Sequence, residues 1–233
     1  MDARLMRLSV VMPVLDEAGC IRTSLERLRV LREAGHEVIV ADGGSRDGTP
    51  DLARGLADCI LDAPRGRALQ MNAGAARAGG DVLLFLHADT RLPADVLEQL
   101  AAVFCTGSRR WGRFDVRIEG RHPMLRVVAR AMNLRSRLTS VCTGDQCIVV
   151  ARELFVRAEG YPPIVLMEDV ALSKRLRRLG AMAALPGPVV TSGRRWENNG
   201  VWRTIVLMWW LRLRYFLGDS PRRLGRVYEA GPR

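Results

Sequence analysis

Short apolar runs alternate along this chain with segments whose apolar residues recur every three or four positions. "LSVVMPVL", Leu8 to Leu15, is an apolar run ended by Pro13 and the acidic Asp16-Glu17. An unbroken run of this kind reads as a parallel strand buried on both faces. Behind it, Ile21, Leu25, Leu28 and Leu31 fall at helical spacing, and Gly35 closes the segment. "HEVIVADGG" predicts a second strand and "SRDGTPDLARGLA" a helix with Pro50 near its start. "CILDAP" predicts a third strand, "GRALQMNAGAARAGG" a helix, "DVLLFLHAD" a fourth strand, and "PADVLEQLAAVF" a helix with Pro93 in its first turn. This alternation predicts βαβ units with right-handed crossovers, hence an α/β fold whose mostly parallel sheet is flanked by helices.

The texture changes after residue 105. "WGRFDVRIEG" alternates like a strand, and "PMLRVVARAMNLRSRL" is helical. "CTGDQCIVVARELF" reads as a loop, a strand and the start of a helix, and "MEDVALSKRLRRLG" as a helix stopped by Gly180. No Pro/Gly/Ser linker separates residues 1–105 from 106–200, so both halves belong to one domain of residues 1–200. Residues 201–233 follow as a C-terminal helix and tail. In "VWRTIVLMWWLRLRYFL", Val201 to Leu217, the longest apolar run is Ile205 to Leu211. That is far short of the ~20 residues that span a bilayer. Arg203 and Arg214 share a helical face while Arg212 points the other way. A helix packed on the domain and one lying on a membrane surface both fit.

The chain is 48% hydrophobic and 26% charged, enough apolar material for a core. The net charge is +11, and Lys174 is the sole lysine. So many arginines either spread over solvated faces or meet an anionic partner: nucleotide phosphates, an acidic lipid surface or nucleic acid. No nucleic-acid recognition motif accompanies the charge, which argues against nucleic acid. The five cysteines form no C-x-x-C pair, and "MDARLMRLSVVMP" lacks the features of a secretory signal. These features predict a cytoplasmic chain with reduced thiols, with peripheral contact at the inner membrane face through 201–217 left open. Cys142 and Cys147, flanking Gly144-Asp145, read as small core residues.

Parallel sheets bind ligands outside the carboxyl ends of their strands. Asp16, Glu17, Asp42 and Asp89 all follow such ends and should gather on one edge. A nucleotide lying there needs a carboxylate to accept an imide N–H, which Asp42 or Asp16 can supply. Its diphosphate needs cations. Arg65 is placed to help, and Gly66 lets the backbone approach. Asp89 can hold a hard divalent cation whose other ligands are phosphate oxygens and waters. His87 projects on the same side as Asp89, as a further ligand or as a hydrogen-bond partner of ribose or diphosphate. Each motif also has a structural reading. Asp42 and Ser45 can cap a helix, and Glu168-Asp169 can be the polar start of one.

The segments "VVMPVLDE", "VIVADGGSRDGT", "APRGRALQMNAGA", "LLFLHADT", "TGDQCIVV", "MEDVALSKRL" and "SGRRW" occur in an order that resembles the family 2 glycosyltransferases of the GT-A fold. Within that family the chain is most similar to the radical-SAM/selenodomain-associated transferases, the arsenosugar biosynthesis type. The resemblance implies a nucleotide-binding half at 1–105 and an acceptor and catalytic half at 106–200. It casts Pro13, Asp16 and Glu17 as the first nucleotide-binding turn, and Asp42 as the contact to the base, usually uracil. Gly43, Gly44, Ser45, Asp47 and Gly48 match a D-G-S-x-D-G-T turn with an extra glycine. Arg65 and Gly66 match the loop that closes on the nucleotide. His87-Ala88-Asp89 matches the metal-binding D-x-D, with His87 replacing its first carboxylate. Glu168-Asp169 matches the E-D motif, with Asp169 as catalytic base. Gly144, Asp145 and Gln146 sit where the family contacts the acceptor. Arg195-Trp196 matches the R-W of a longer motif whose preceding Gln is absent, which favours single transfer over polymerisation.

The implied activity is inverting, metal-dependent transfer of a sugar from a nucleoside diphosphate sugar, usually a UDP-sugar, to a hydroxyl on a small or lipid-linked acceptor. Mn2+ or Mg2+ is the implied cofactor. Two other readings compete. A nucleotidyltransferase shares the strand order, but its Gly-rich loop is missing from "MPVLDEAGCIR". A catalytically inactive nucleotide-sugar binder, or a membrane-surface adaptor using Trp202, Trp209 and Trp210, is the other.

Overall fold

Leu8–Val14 forms β1, buried along its whole length. The computed structural model describes residues 6–105 and 108–230. After β1 come helices α1 (Ile21–Arg27) and α2 (Arg29–Glu33), β2 (Glu37–Asp42), α3 (Thr49–Ala53), β3 (Cys59–Asp62), α4 (Arg67–Arg77) and β4 (Val82–Phe85). β5 (Thr90–Arg91), α5 (Val96–Phe104), β6 (Trp111–Glu119) and α6 (Met124–Thr139) follow. A 3-10 turn at Gly144–Gln146 leads into β7 (Ile148–Ala151), α7 (Arg152–Arg157), α8 (Glu168–Leu179) and β8 (Met182–Ser192). The chain ends in α9 (Arg194–Asn199), α10 (Val201–Phe216) and α11 (Pro221–Ala230).

One sheet of eight strands runs in the order β3-β2-β1-β4-β7-β6-β8-β5. β7 is antiparallel to both its neighbours, and β5 is antiparallel to β8; the other pairs are parallel. The chain builds outward from β1 to β2 and β3 on one side, then switches to β4 on the other. The carboxyl ends of β1 and β4 therefore frame the crevice where such sheets take their ligands. Side-chain alternation splits the core. Leu8, Val10, Met12 and Val14 pack with residues of α1, α2, α5 and α6, while Val11 packs with residues of α4, α7 and α8. A separate small cluster joins Val141, Leu166, Met167 and Val170 to Leu211 of α10 and Leu224 of α11.

Two details differ from the sequence reading, and a third goes beyond it. The first helix is broken at Leu28, whose N–H bonds to Leu25 O at 3.0 Å, a tightened turn between α1 and α2. The fourth strand stops at Phe85, because Thr90 N–H turns back to His87 O at 3.0 Å and frees the "HAD" residues from the ladder. β8 carries Pro186 and Pro188, which argue against a strand; the irregularity in its pairing with β6, between Phe114 and Val116, accommodates them.

Candidate functional site

The sheet register decides which loops meet. β7 runs antiparallel to β4, with Leu84 opposite Val149. Extending both strands by a few residues brings the 3-10 turn at Gly144–Gln146 against His87. β6 and β8 run parallel, with Glu119 opposite Ser192, so α9 begins at the same edge. The loop after β4, the turn before β7 and the start of α8 then converge on one spot.

Gly144 is the contact point. A Cβ there would lie 2.6 Å from Cε1 of His87, so the position admits glycine alone without displacing the ring. Its N–H donates to Asp169 Oδ2 at 2.9 Å, and Val170 N–H donates to Asp169 Oδ1 at 2.7 Å. Two backbone donors fix the orientation of the Asp169 carboxylate at the mouth of α8. Asp145 Oδ1 lies 3.6 Å from His87 Nδ1, an ion-pair distance. Burial pulls the imidazole below its ordinary range, but Asp145 more than offsets this and holds it above. Partial burial pushes the Asp145 carboxyl up, yet His87, Arg67 and Arg195 hold it below the usual value.

Glu168 is buried and pairs with Arg67, Nε to Oε1 at 2.9 Å. Burial pushes this carboxyl up, against the pull of Arg67. Its Oε2 has no hydrogen-bond partner among the described residues, leaving one acceptor for a bound hydroxyl. Arg67 was not singled out from sequence, although Arg65 two positions earlier was. Arg65 lies exposed on the turn before α4, whereas Arg67 lines the cavity beside Asp169. Nothing in the sequence distinguishes the two arginines; the first turn of α4 does. Gly66, the N-cap of α4, has φ 135°.

The turns after β1 and β2 are knotted together. Asp42 is buried; its Oδ2 accepts from Gly44 N–H and Ser45 N–H, both at 2.9 Å, and its Oδ1 accepts from the Ser45 hydroxyl. Gly44, the extra glycine, has φ 89°. Asp16 N–H donates to Ser45 Oγ at 2.9 Å, and Asp16 Oδ1 accepts from Arg46 N–H at 2.8 Å. Glu17 N–H donates to Thr49 Oγ1 and Ala18 N–H to Asp47 Oδ2, each at 2.8 Å. Pro13 is buried opposite Ala41, and Gly43 N–H bonds to Val14 O at 2.9 Å. Gln70, another residue that sequence reasoning did not single out, is buried behind this knot. Its amide donates to Val14 O at 2.7 Å and Ala41 O at 3.0 Å.

Ala88 is buried, and its carbonyl accepts from Ser24 of α1, which anchors the "HAD" loop. Asp89 is partly exposed; the hydrogen bond described for its carboxylate is a long one of 3.4 Å from Thr90. Its lone pairs are thus open. No group of three or more His, Cys, Asp or Glu among the described residues could by itself hold a metal ion. This donor set fits a hard divalent cation that completes its shell with phosphate oxygens and water.

Gln146 is fully buried and turned away from the cavity, donating to Ser136 Oγ at 3.0 Å. It supports the turn that carries Gly144 and Asp145. Arg195 stacks on Tyr228 of α11 at 3.7 Å from the ring centroid, and its Nη2 donates to Tyr228 O at 3.2 Å. Trp196 and Tyr228 both line the cavity that contains Asp169. Tyr228 lies in a tail to which the sequence assigned no role.

The chain is 38% identical over 100 residues to the succinoglycan biosynthesis protein ExoA of Rhizobium meliloti, covering 39% of this chain and 30% of that protein. It is 33% identical over 98 residues to the glycosyltransferase AglE of Haloferax volcanii, covering 38% of this chain and 32% of that protein. Each match spans less than a third of the relative's length. Among solved structures, S. aureus TarS 1-349 in complex with UDP-GlcNAc matches with a TM-score of 0.66 at 16% identity, over 80% of this chain and 58% of that one. Glucosyl-3-phosphoglycerate synthase from Mycobacterium tuberculosis, in complex with Mn2+, UDP and glucosyl-3-phosphoglycerate, matches with a TM-score of 0.60 at 20% identity, over 78% of this chain and 70% of that one. At these identities the likeness is one of fold, the curled and mostly parallel GT-A sheet. Residues 9–152 match the family model "Glycosyl transferase family 2", and the chain belongs to that family.

Proposed function

We propose that the chain transfers a sugar from a nucleoside diphosphate sugar, most simply a UDP-sugar, to a hydroxyl acceptor with inversion at the anomeric carbon. The observation that carries this reading is the convergence at Gly144: its N–H holds Asp169 while its Cα abuts His87. A proton acceptor and the residues beside Asp89 thus share one wall of the cleft. The acceptor oxygen attacks the anomeric carbon, its proton passes to Asp169, and the bond to the diphosphate breaks with its electron pair leaving on phosphate. Inversion follows from a single attack opposite the leaving group.

Asp89 would hold a divalent cation, which when bound supplies Lewis-acid charge to the departing diphosphate. His87, whose Nδ1 faces Asp145, adds an imidazole two residues from Asp89 in the same loop. Arg67, paired with Glu168, adds fixed positive charge to the cavity wall beside Asp169. The Mn2+ and UDP in the mycobacterial structure support both the ion and the base. The narrower kinship to the radical-SAM/selenodomain-associated branch belongs to this proposal and rests on motif order.

The test is a calorimetric titration with UDP, GDP, dTDP and CDP, with and without Mn2+, on wild type and Asp89→Asn. One nucleotide is expected to bind in a Mn2+-dependent manner, and chelation or Asp89→Asn should weaken it at least tenfold. Absence of binding by any of the four nucleotides would overturn the reading.

A further inference from the structure

The cleft does not end at Asp169. The cavity that contains it, about 1010 Å³ in all, extends between α6 and α10. Pockets for drug-sized ligands occupy roughly 300–1,000 Å³, so there is far more room than an accepting hydroxyl and one sugar need. Its walls are apolar: Met124, Val128 and Met132 from α6 face Trp202, Met208 and Trp209 from α10. At the open side these helices expose large apolar groups that none of the described residues covers, with Trp209 73% and Val127 53% accessible. A sugar polymer or an extended peptide would bring hydroxyls or backbone amides that this wall cannot satisfy. A hydrocarbon chain would meet it without loss.

The polar lining residues include two arginines besides Arg67 and the acidic Asp145 and Asp169. Arg135 of α6 and Arg212 of α10 both line the cavity. Nε and Nη2 of Arg135 and Nε of Arg212 are buried without a hydrogen-bond partner, and neither side chain forms an ion pair among the described residues. Buried, unpaired guanidinium nitrogens are costly and are rarely retained without a ligand. Burial accordingly depresses the Arg135 guanidinium, against the pull of Asp169. An anion in this part of the cavity would satisfy these nitrogens, and a guanidinium fork matches phosphate.

We propose that the groove between α6 and α10 binds the chain of a lipid phosphate, with the phosphate at Arg135 and Arg212 and the accepting hydroxyl carried beyond it to Asp169. This deepens the transferase reading and rests on it, since it names the acceptor class of the same site. The occupant is an amphiphile with a long hydrocarbon chain and a phosphate between that chain and the hydroxyl. The exposed tryptophans of α10 then mark where such a chain leaves its membrane, as amphipathic aromatic rings do at a lipid–water boundary.

The test uses the full chain and dodecyl phosphate, followed by tryptophan emission and calorimetry below the micelle concentration. Saturable one-to-one binding is expected, at least tenfold tighter than dodecanol or inorganic phosphate. Arg135→Gln should weaken it about tenfold. Ala131→Trp, at an exposed position on the groove wall, should block the chain without disturbing the core. Inorganic phosphate binding as tightly would overturn the lipid in favour of a free anion. Equal binding of dodecanol, or no effect of either substitution, would overturn the site. UDP titration with Mn2+ on the wild-type protein is the separate arm. If dodecyl phosphate binds and UDP does not, the lipid site stands and the transferase reading falls; the reverse result removes the lipid site alone.

Discussion

The two walls of the cleft are built by opposite means. The sheet-edge wall is polar and tied: Asp16, Asp42, Ser45, Asp47 and Thr49 spend their side chains on backbone groups of neighbouring turns. The helical wall is apolar and open: Trp209 and Val206 of α10 are mostly exposed, and Arg135 keeps unpaired nitrogens. A tied polar wall is preorganised, so it can hold fixed charges against a ligand without rearranging. An open apolar wall has no directional bonds to satisfy and can follow a flexible chain. In the proposed function, chemistry falls on one wall and acceptor binding on the other. Asp169, held by Gly144 from the first wall and lining the cavity of the second, lies at the junction.

The junction should be the most sensitive point. Asp169→Asn should lower transfer by about 10²–10⁴-fold while UDP affinity changes less than about twofold, as read from release of nucleotide and from calorimetry. Loss of UDP binding in that variant would mean that Asp169 builds the first wall instead of serving the second. Gly144→Ala puts a methyl group 2.6 Å from the His87 ring. Moving the ring or the turn should cost about 1–3 kcal/mol in urea unfolding and disturb the Asp169 contact, lowering kcat more than it raises KM. Unchanged kinetics would show that the two walls are not coupled through this glycine.

Behind the first wall, Gln70→Leu leaves the carbonyls of Val14 and Ala41 without their buried donor. About 1–3 kcal/mol of stability should be lost, with weaker UDP binding and no change in dodecyl phosphate binding. The smallest effect concerns pH. The Thr49 hydroxyl, with Ala18 N–H, holds the Asp47 carboxyl below its usual value. A depressed carboxyl contributes above its unfolded pKa, about 3.9, and the contribution is lost as pH falls through the folded value. Amide exchange at Ala18 and Thr49 should therefore stay protected at pH 5 and rise below about pH 4. Opening of those amides at pH 5 would show that the carboxylate does not tie the turns.

Much of the first wall was legible in the chain. Unbroken apolar runs such as Leu8–Val14 and Val82–Phe85 are what strands buried on both faces require, and the acidic residues behind them fall at one edge for that reason. Short-range turns such as Asp42–Ser45 follow from side chains that reach their own backbone. The second wall was not legible. Its membership depends on how α6 and α10 approach each other, and apolar spacing in one helix says nothing of its partner. "VWRTIVLMWWLRLRYFL" allowed both a packed and an interfacial helix, and in the fold one face is packed while the other stays exposed. Val201, Thr204 and Leu211 are buried while Trp202, Trp209 and Phe216 stay out. None of the described helices is long and apolar enough to cross a membrane.

Strand–helix order, the edge on which the carboxylates collect and the family's motif order follow from the local pattern of the chain, because periodicity and sheet chirality leave few alternatives. Tertiary structure alone decided that Arg67 and not Arg65 enters the cavity, that Gln146 supports a turn, and that Tyr228 lies beneath Arg195. Those outcomes depend on contacts between residues far apart in the chain. They are fixed by register and packing, which no local pattern encodes.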